Sequence, residues 1–243
     1  MKLPNQDAVL HRSQIYQLLT HIIDDPYLSK NLIFKGGTCA TLLGYLDRFS
    51  VDLDFDQAKS SSKLEIKKRL EDIFKKLDLV IKDQSTKTIQ YRLKYSSTPS
   101  QRNTLKLDVV SQNIKADVFA PQYLTDIDRY MTCQTIETMF AHKLVAITDR
   151  FAKHNSIAGR DVYDLRHFFL QGYSYHPKIV VERTNKSPKT YLMELKDFIS
   201  KNVTQTIIDQ DINTLLTPNQ FQKIRKVIKS ELLVLISEHL QTL

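Results

Sequence analysis

Asp52 and Asp54 flank Leu53 in the run Arg48-Phe49-Ser50-Val51-Asp52-Leu53-Asp54-Phe55, and this pair is the feature of the chain best suited to chemistry. In an extended strand, side chains two apart emerge on one face, so both carboxylates project together. Adjacent acids repel unless a cation lies between them. A hard divalent ion, Mg2+ or Mn2+, supplies that charge, taking one or two carboxylates and leaving its other positions to water and substrate phosphate. Two such ions can clamp an in-line displacement at phosphorus. Upstream, Gly36 and Gly37 allow positive φ angles and close approach to an anion, and Thr38 adds a hydroxyl at the start of a predicted helix. The combination points to nucleotidyl transfer from a nucleoside triphosphate.

Positioning these groups needs a strand, a turn, a helix and a strand in that order. Leu32-Ile33-Phe34 reads as a short strand into the glycine turn, residues 39 to 47 as a helix, and 51 to 56 as the strand bearing the acids. Ahead of them, Val9, Ile15, Leu18, Leu19 and Ile22 predict a leading helix over residues 6 to 22, interrupted by Asp24-Asp25-Pro26. Ile66, Leu70, Ile73, Phe74 and Leu77 predict an amphipathic helix over 63 to 77. Strict alternation through Ile89, Tyr91, Leu93 and Tyr95 predicts a strand. The turn residues Ser96-Ser97-Thr98-Pro99-Ser100 then predict a hairpin into residues 104 to 110.

On that second hairpin strand Lys106 and Asp108 share a face away from Leu105, Leu107 and Val109. Asp108 is therefore a third carboxylate for metal, able to accept the attacking hydroxyl's proton, and Lys106 can neutralise triphosphate charge. Lys143 falls on the apolar stripe of a helix predicted over 135 to 151, formed by Ile136, Met139, Phe140, Leu144, Ile147 and Phe151. An unpaired ammonium is costly there, so it must reach solvent or meet an anion. A triphosphate or a structural carboxylate such as Asp161 or Asp164 serves equally, and Arg150 presents the same choice. A helix over 161 to 171 groups Asp161 with Asp164 and lets Arg160 pair across one turn.

Composition narrows the classes. The net charge is +8 with pI near 9.3, and residues 59 to 94 hold eleven Lys or Arg against five Asp or Glu, an excess suited to a polyanion backbone. No run approaches eighteen apolar residues, and the polar start Met1-Lys2-Leu3-Pro4 has no signal-peptide core, which predicts a cytosolic protein without membrane association. Cys39 and Cys133 are two isolated thiols, suited to the core rather than to zinc or a disulfide. The seven histidines show no paired metal spacing, and no Walker, Gly-x-Gly-x-x-Gly or Gly-x-Ser-x-Gly motif is present.

Phe34-Lys35-Gly36-Gly37-Thr38 followed by Arg48-Phe49-Ser50-Val51-Asp52-Leu53-Asp54-Phe55 resembles the first motif of the AbiEii/AbiGii-type toxins in the polymerase-β-like nucleotidyltransferase superfamily. The resemblance continues through Lys106-Leu107-Asp108, Lys143 and Arg160-Asp161-Val162-Tyr163-Asp164-Leu165. It implies an α/β fold, a nucleotidyltransferase core with a small mixed sheet over residues 1–172. The residues after Gly172 themselves read as helices broken near Ser187-Pro188 and Thr217-Pro218, a helical C-terminal subdomain over 173–243. The resemblance also implies nucleotide-site roles for Lys143, Arg150, Arg160 and Asp161, an RNA acceptor with the 3′ end of tRNA the sharpest expectation, and a separate antitoxin as partner. Two departures stand out. Val51 replaces an acid, and the link from Phe151 to Gly159 is long, which predicts a mobile loop. The alternatives are transfer to a small molecule or protein hydroxyl, and an RNA-binding protein that has lost turnover.

Overall fold

The computed structural model describes residues 3–5, 8–97, 102–111 and 114–243. Among them are seven β-strands: β1 (Leu32–Lys35), β2 (Asp52–Gln57), β3 (Val80–Gln84), β4 (Ile89–Lys94), β5 (Thr104–Val110), β6 (Phe119–Leu124) and β7 (Arg129–Gln134). They form one mixed sheet in the order β3-β4-β5-β2-β1-β7-β6. The first helices are α1 (Ala8–Asp24), α2 (Pro26–Asn31), α3 (Gly36–Leu42) and α4 (Lys63–Lys76). The remaining helices are α5 (Ile136–His154), α6 (Gly159–Leu170), α7 (Pro177–Thr184), α8 (Pro188–Asn202), α9 (Gln205–Ile212), α10 (Pro218–Ile224) and α11 (Ile228–Gln241).

The chain divides into two compact units, Met1–Asn113 with Phe119–Gln134, and Ile114–Val118 with Thr135–Leu243. Helices α5 and α6 therefore cluster with the later helices, whereas the sequence grouped them with residues 1–172.

In the first unit the sheet has one apolar face. Phe34, Leu53, Phe55, Tyr91, Leu93, Leu105, Leu107 and Val109 are all buried, and each such side chain contributes about 1.5–3 kcal/mol through its removal from water. Helices α1 and α4 lie against it. Phe74 of α4 meets Tyr91 edge-on with ring centroids 5.0 Å apart. The inward stripe of α1 is His11, Ile15, Leu18, Leu19 and Ile22; Val9, expected there, is 47% exposed, because the spacing of three and four runs through His11 instead. His11 is held by Tyr95 Oη at 2.6 Å from Nδ1 and by the Val51 carbonyl at 2.9 Å from Nε2.

Asp25, expected only to interrupt the leading helix, caps α2 by accepting from the Tyr27 and Leu28 amides, both at 2.9 Å. The helix expected over 39 to 47 is α3, which begins earlier because Gly36 takes φ +77° and turns the chain at once. The Thr98-Pro99-Ser100 part of the expected hairpin turn lies outside the described residues.

In the second unit Phe140, Tyr163 and Phe168 are buried, with the Phe140 and Phe168 rings 5.2 Å apart. Ser187 and Thr217 cap α8 and α10, each followed by proline at the first helical position, as the sequence breaks indicated. The long link before Arg160 is absent: α5 continues to His154, leaving only Asn155–Ala158 between the helices. Asn155 ends α5 in the left-handed conformation at φ 48°. Gly159 is fixed in place, since a Cβ there would overlap the backbone carbonyl of Ile207 on α9.

Candidate active site

The other face of the sheet carries the acids. Strand β2 pairs parallel with β5, setting Asp54 beside Asp108 and Asp52 beside Lys106, and pairs antiparallel with β1, setting Asp54 opposite Lys35. Strand neighbours in register share a face, so Asp52, Asp54, Asp108, Lys106 and Lys35 project together. The three acids singled out in the sequence are thus brought together.

Their charges are unevenly compensated. Lys106 Nζ bonds Asp108 Oδ2, while Asp108 Oδ1 is buried without a hydrogen-bond partner. Burial, then the charges of Asp52 and Asp108, push the Asp54 carboxyl up to about 6, with Lys35 and Lys106 pulling the other way. Lys35 and Lys106 offset the negative charge of this face only in part, so a further cation beside Asp54 is favoured. Among the described residues no three His, Cys, Asp or Glu side chains close into a ready-made metal cage. The orphaned Asp108 oxygen fits a hard divalent ion such as Mg2+ or Mn2+, whose shell the neighbouring carboxylates, water and phosphate would complete.

The glycine turn abuts this cluster. At Gly36 a Cβ would overlap the Asp54 carboxylate, so both the positive φ and the space demand glycine. Gly37 lies under Arg48, whose Nη1 donates to the Phe49 carbonyl at 2.9 Å. Thr38 is fully buried: its hydroxyl donates to the Asp52 carbonyl and lies 2.9 Å from Ser50 Oγ. It ties α3 to the start of β2 and so positions Asp52.

Three residues of this face went unread in the sequence. Asp56, two beyond Asp54, is 3% exposed, accepts from Gln134 Nε2 at 2.7 Å and pairs with Lys35. The signal was present for Asp56, since Asp-Leu-Asp-Phe-Asp continues the alternation. Lys35 and Gln134 carried none, because their partner comes from a different strand. Cys39 is fully buried, and burial together with the adjacent Cys133 thiol pushes its thiol well above the ordinary value, which leaves it inert.

In the second unit Lys143 on α5 meets the carboxylates of α6: its Nζ lies 2.5 Å from Asp161 Oδ1 and 2.9 Å from Asp164 Oδ2. Asp161 and Asp164 are 2% and 0% exposed. Arg150 Nε stands 3.8 Å from Asp161 Oδ2, too long for a hydrogen bond, and both atoms are buried without such a partner. Of the two partners open to Lys143, the structural acids are the ones in place. Arg160 sits half-buried in the first turn of α6.

The family model described as "Nucleotidyl transferase AbiEii toxin, Type IV TA system" matches residues 17–230. The chain belongs to the AbiEii nucleotidyltransferase toxin family. It is a toxin-antitoxin nucleotidyltransferase, an enzyme whose substrate is a nucleoside triphosphate. Solved structures carry the same fold. JHP933 from Helicobacter pylori is 20% identical with a TM-score of 0.60, over 99% of this chain and 94% of its own. The nucleotidyltransferase toxin MenT4 from Mycobacterium tuberculosis is 15% identical with a TM-score of 0.55, over 95% of this chain and 84% of its own. No curated sequence matches the chain. Among the described residues of this AbiEii-family toxin no helix is long and apolar enough to cross a membrane.

Proposed function

We propose that this AbiEii-family enzyme moves a nucleoside monophosphate from a nucleoside triphosphate to a hydroxyl of RNA, with the 3′ end of tRNA as the acceptor, releasing pyrophosphate. The observation that carries this reading is the sheet face on which Asp52, Asp54 and Asp108 stand together with Gly36 pressed against Asp54. Asp52, Asp54 and Asp108 would hold Mg2+, or Mn2+ in its place; the bound ion would supply charge to polarise the phosphate and lower the acceptor hydroxyl's pKa. Asp108 offers its unpaired Oδ1 to the ion, and its Oδ2 takes the acceptor's proton once Lys106 has turned to phosphate. Lys106 exchanges its bond with Asp108 for a phosphate oxygen, and the backbone at Gly36 and Gly37 lets the triphosphate approach. Thr38 holds the turn in place.

The family resemblance further assigns Lys143, Arg150, Arg160 and Asp161 to the nucleotide. The reading also includes a cytosolic site of action, where triphosphates and RNA are found, and a separate antitoxin protein that opposes the enzyme. Incubating the protein with each labelled nucleoside triphosphate, Mg2+ and total cellular RNA tests the reaction. Label should enter a single RNA class, and label confined to protein or to small molecules would refute the RNA acceptor.

A further inference from the structure

We propose that the β6–β7 hairpin carries a stacking platform for unpaired bases of the acceptor RNA, formed by Phe119, Pro121, Tyr123 and Tyr130. This rests on the RNA reading above. The register defines where these side chains point. Phe34 pairs with Cys133, so Lys35 and Gln134 share the opposite face, and Gln134 pairs with Phe119. Both Lys35 and Gln134 reach Asp56, which places them on the face of the acids. Alternation then puts Pro121, Tyr123 and Tyr130 on that face too, with Tyr123 directly opposite Tyr130. All of this lies within the first unit.

These side chains are open. Tyr130 is 68% exposed, Tyr123 43% and Phe119 39%. The two tyrosine rings stand 5.0 Å apart between centroids, and Tyr123 Oη donates to Asp128 Oδ1 at 2.6 Å, which fixes that ring. Asp54, Lys35, Gln134 and Phe119 form one row across the sheet; at about 4.8 Å per strand, Phe119 stands roughly 14 Å from Asp54. A nucleotide chain whose terminal hydroxyl reaches the acids can therefore lie over the hairpin within a few nucleotides.

Charge selects RNA over a protein occupant. The opposite flank of the same face carries Lys106 and, beside it on β4, Arg92 and Lys94, so cations for phosphates and π-faces for bases border the acids on either side. Single strands are held by this combination of basic groove and aromatic surface, frequently on an open sheet.

The chain has no tryptophan, so Tyr130→Trp introduces one reporter. Titrating this variant with a short single-stranded oligoribonucleotide should quench its fluorescence saturably. Tyr123→Ala and Tyr130→Ala should raise the KM for RNA by roughly 5- to 150-fold each, with Tyr130→Phe restoring it. The dependence of affinity on salt should keep its slope, because no phosphate contact is lost. Absence of quenching, or a wild-type RNA KM in both alanine variants, overturns the platform; loss of antitoxin binding with RNA KM unchanged would assign the face to protein and overturn it equally. If the wild-type enzyme labels no RNA, the RNA reading falls on its own, and the quenching titration still decides whether bases stack here.

Discussion

Burial and the carboxylates of Asp52 and Asp108 hold the Asp54 carboxyl at about 6, so from pH 4 upward the folded chain carries an ionisation cost that the unfolded chain does not. The cost grows as pH rises toward 6 and is complete above it, at most about 3 kcal/mol. Asp54→Asn removes it. Without added metal this variant should melt a few degrees higher than wild type while transfer is abolished, since an amide is a poor metal ligand. A variant that is no more stable, or one that still transfers, contradicts the assignment of Asp54. Lys143 behaves oppositely. Lys143→Ala leaves Asp161 and Asp164 buried without their ammonium, which should destabilise the second unit by about 3–5 kcal/mol, read as a lowered melting temperature. An unchanged melting temperature with nucleotide affinity lost would give Lys143 to the triphosphate instead.

At the scale of elements, His11 links α1 to the entry of β2 through the Val51 carbonyl, one residue before Asp52. Burial lowers its pKa to about 4, so it is neutral in the folded chain and charges on unfolding below about 6.5. Folding stability should therefore be full above pH 6.5 and fall as pH drops toward 4, by up to about 3 kcal/mol. In His11→Gln that part of the slope should vanish, which urea titrations between pH 4 and 7 would reveal. The same elements show what was legible in the sequence. Strands β2, β4 and β5 announced themselves because each alternates between a buried and a polar face. Strand β3 did not, being exposed along its whole length, and Pro121 disguised β6, which tolerates proline only because it is an edge. With β6 and β7 unread, Gln134 and the aromatic hairpin were out of view. The acids were legible since one strand orders two of them; the Lys35–Asp56–Gln134 contact was not, since it joins three strands.

For the whole molecule, the charge of +8 makes polyanion binding salt-sensitive if RNA is the acceptor. The KM for RNA should rise steadily between 50 and 200 mM salt, linear on logarithmic axes, with little change in turnover at saturating RNA; a flat response would remove the backbone from the recognition. The domain limits expected at 172 and 173 followed motif order, whereas the compact units follow contacts: α6 packs through Gly159 onto α9, a partner about fifty residues away. Sequence order carries no such information.

Strand β1, which leads into the glycine turn, is flanked on one side by β7, whose Cys133 meets Phe34 across roughly a hundred intervening residues. Gln134, the group that completes the Asp56 contact, is the last residue of that strand. During synthesis at about 5–20 residues per second, Asp52, Asp54 and the turn leave the ribosome several seconds before the strand that braces them. Until Gln134 emerges, Asp56 has the Lys35 contact without the second donor that completes it.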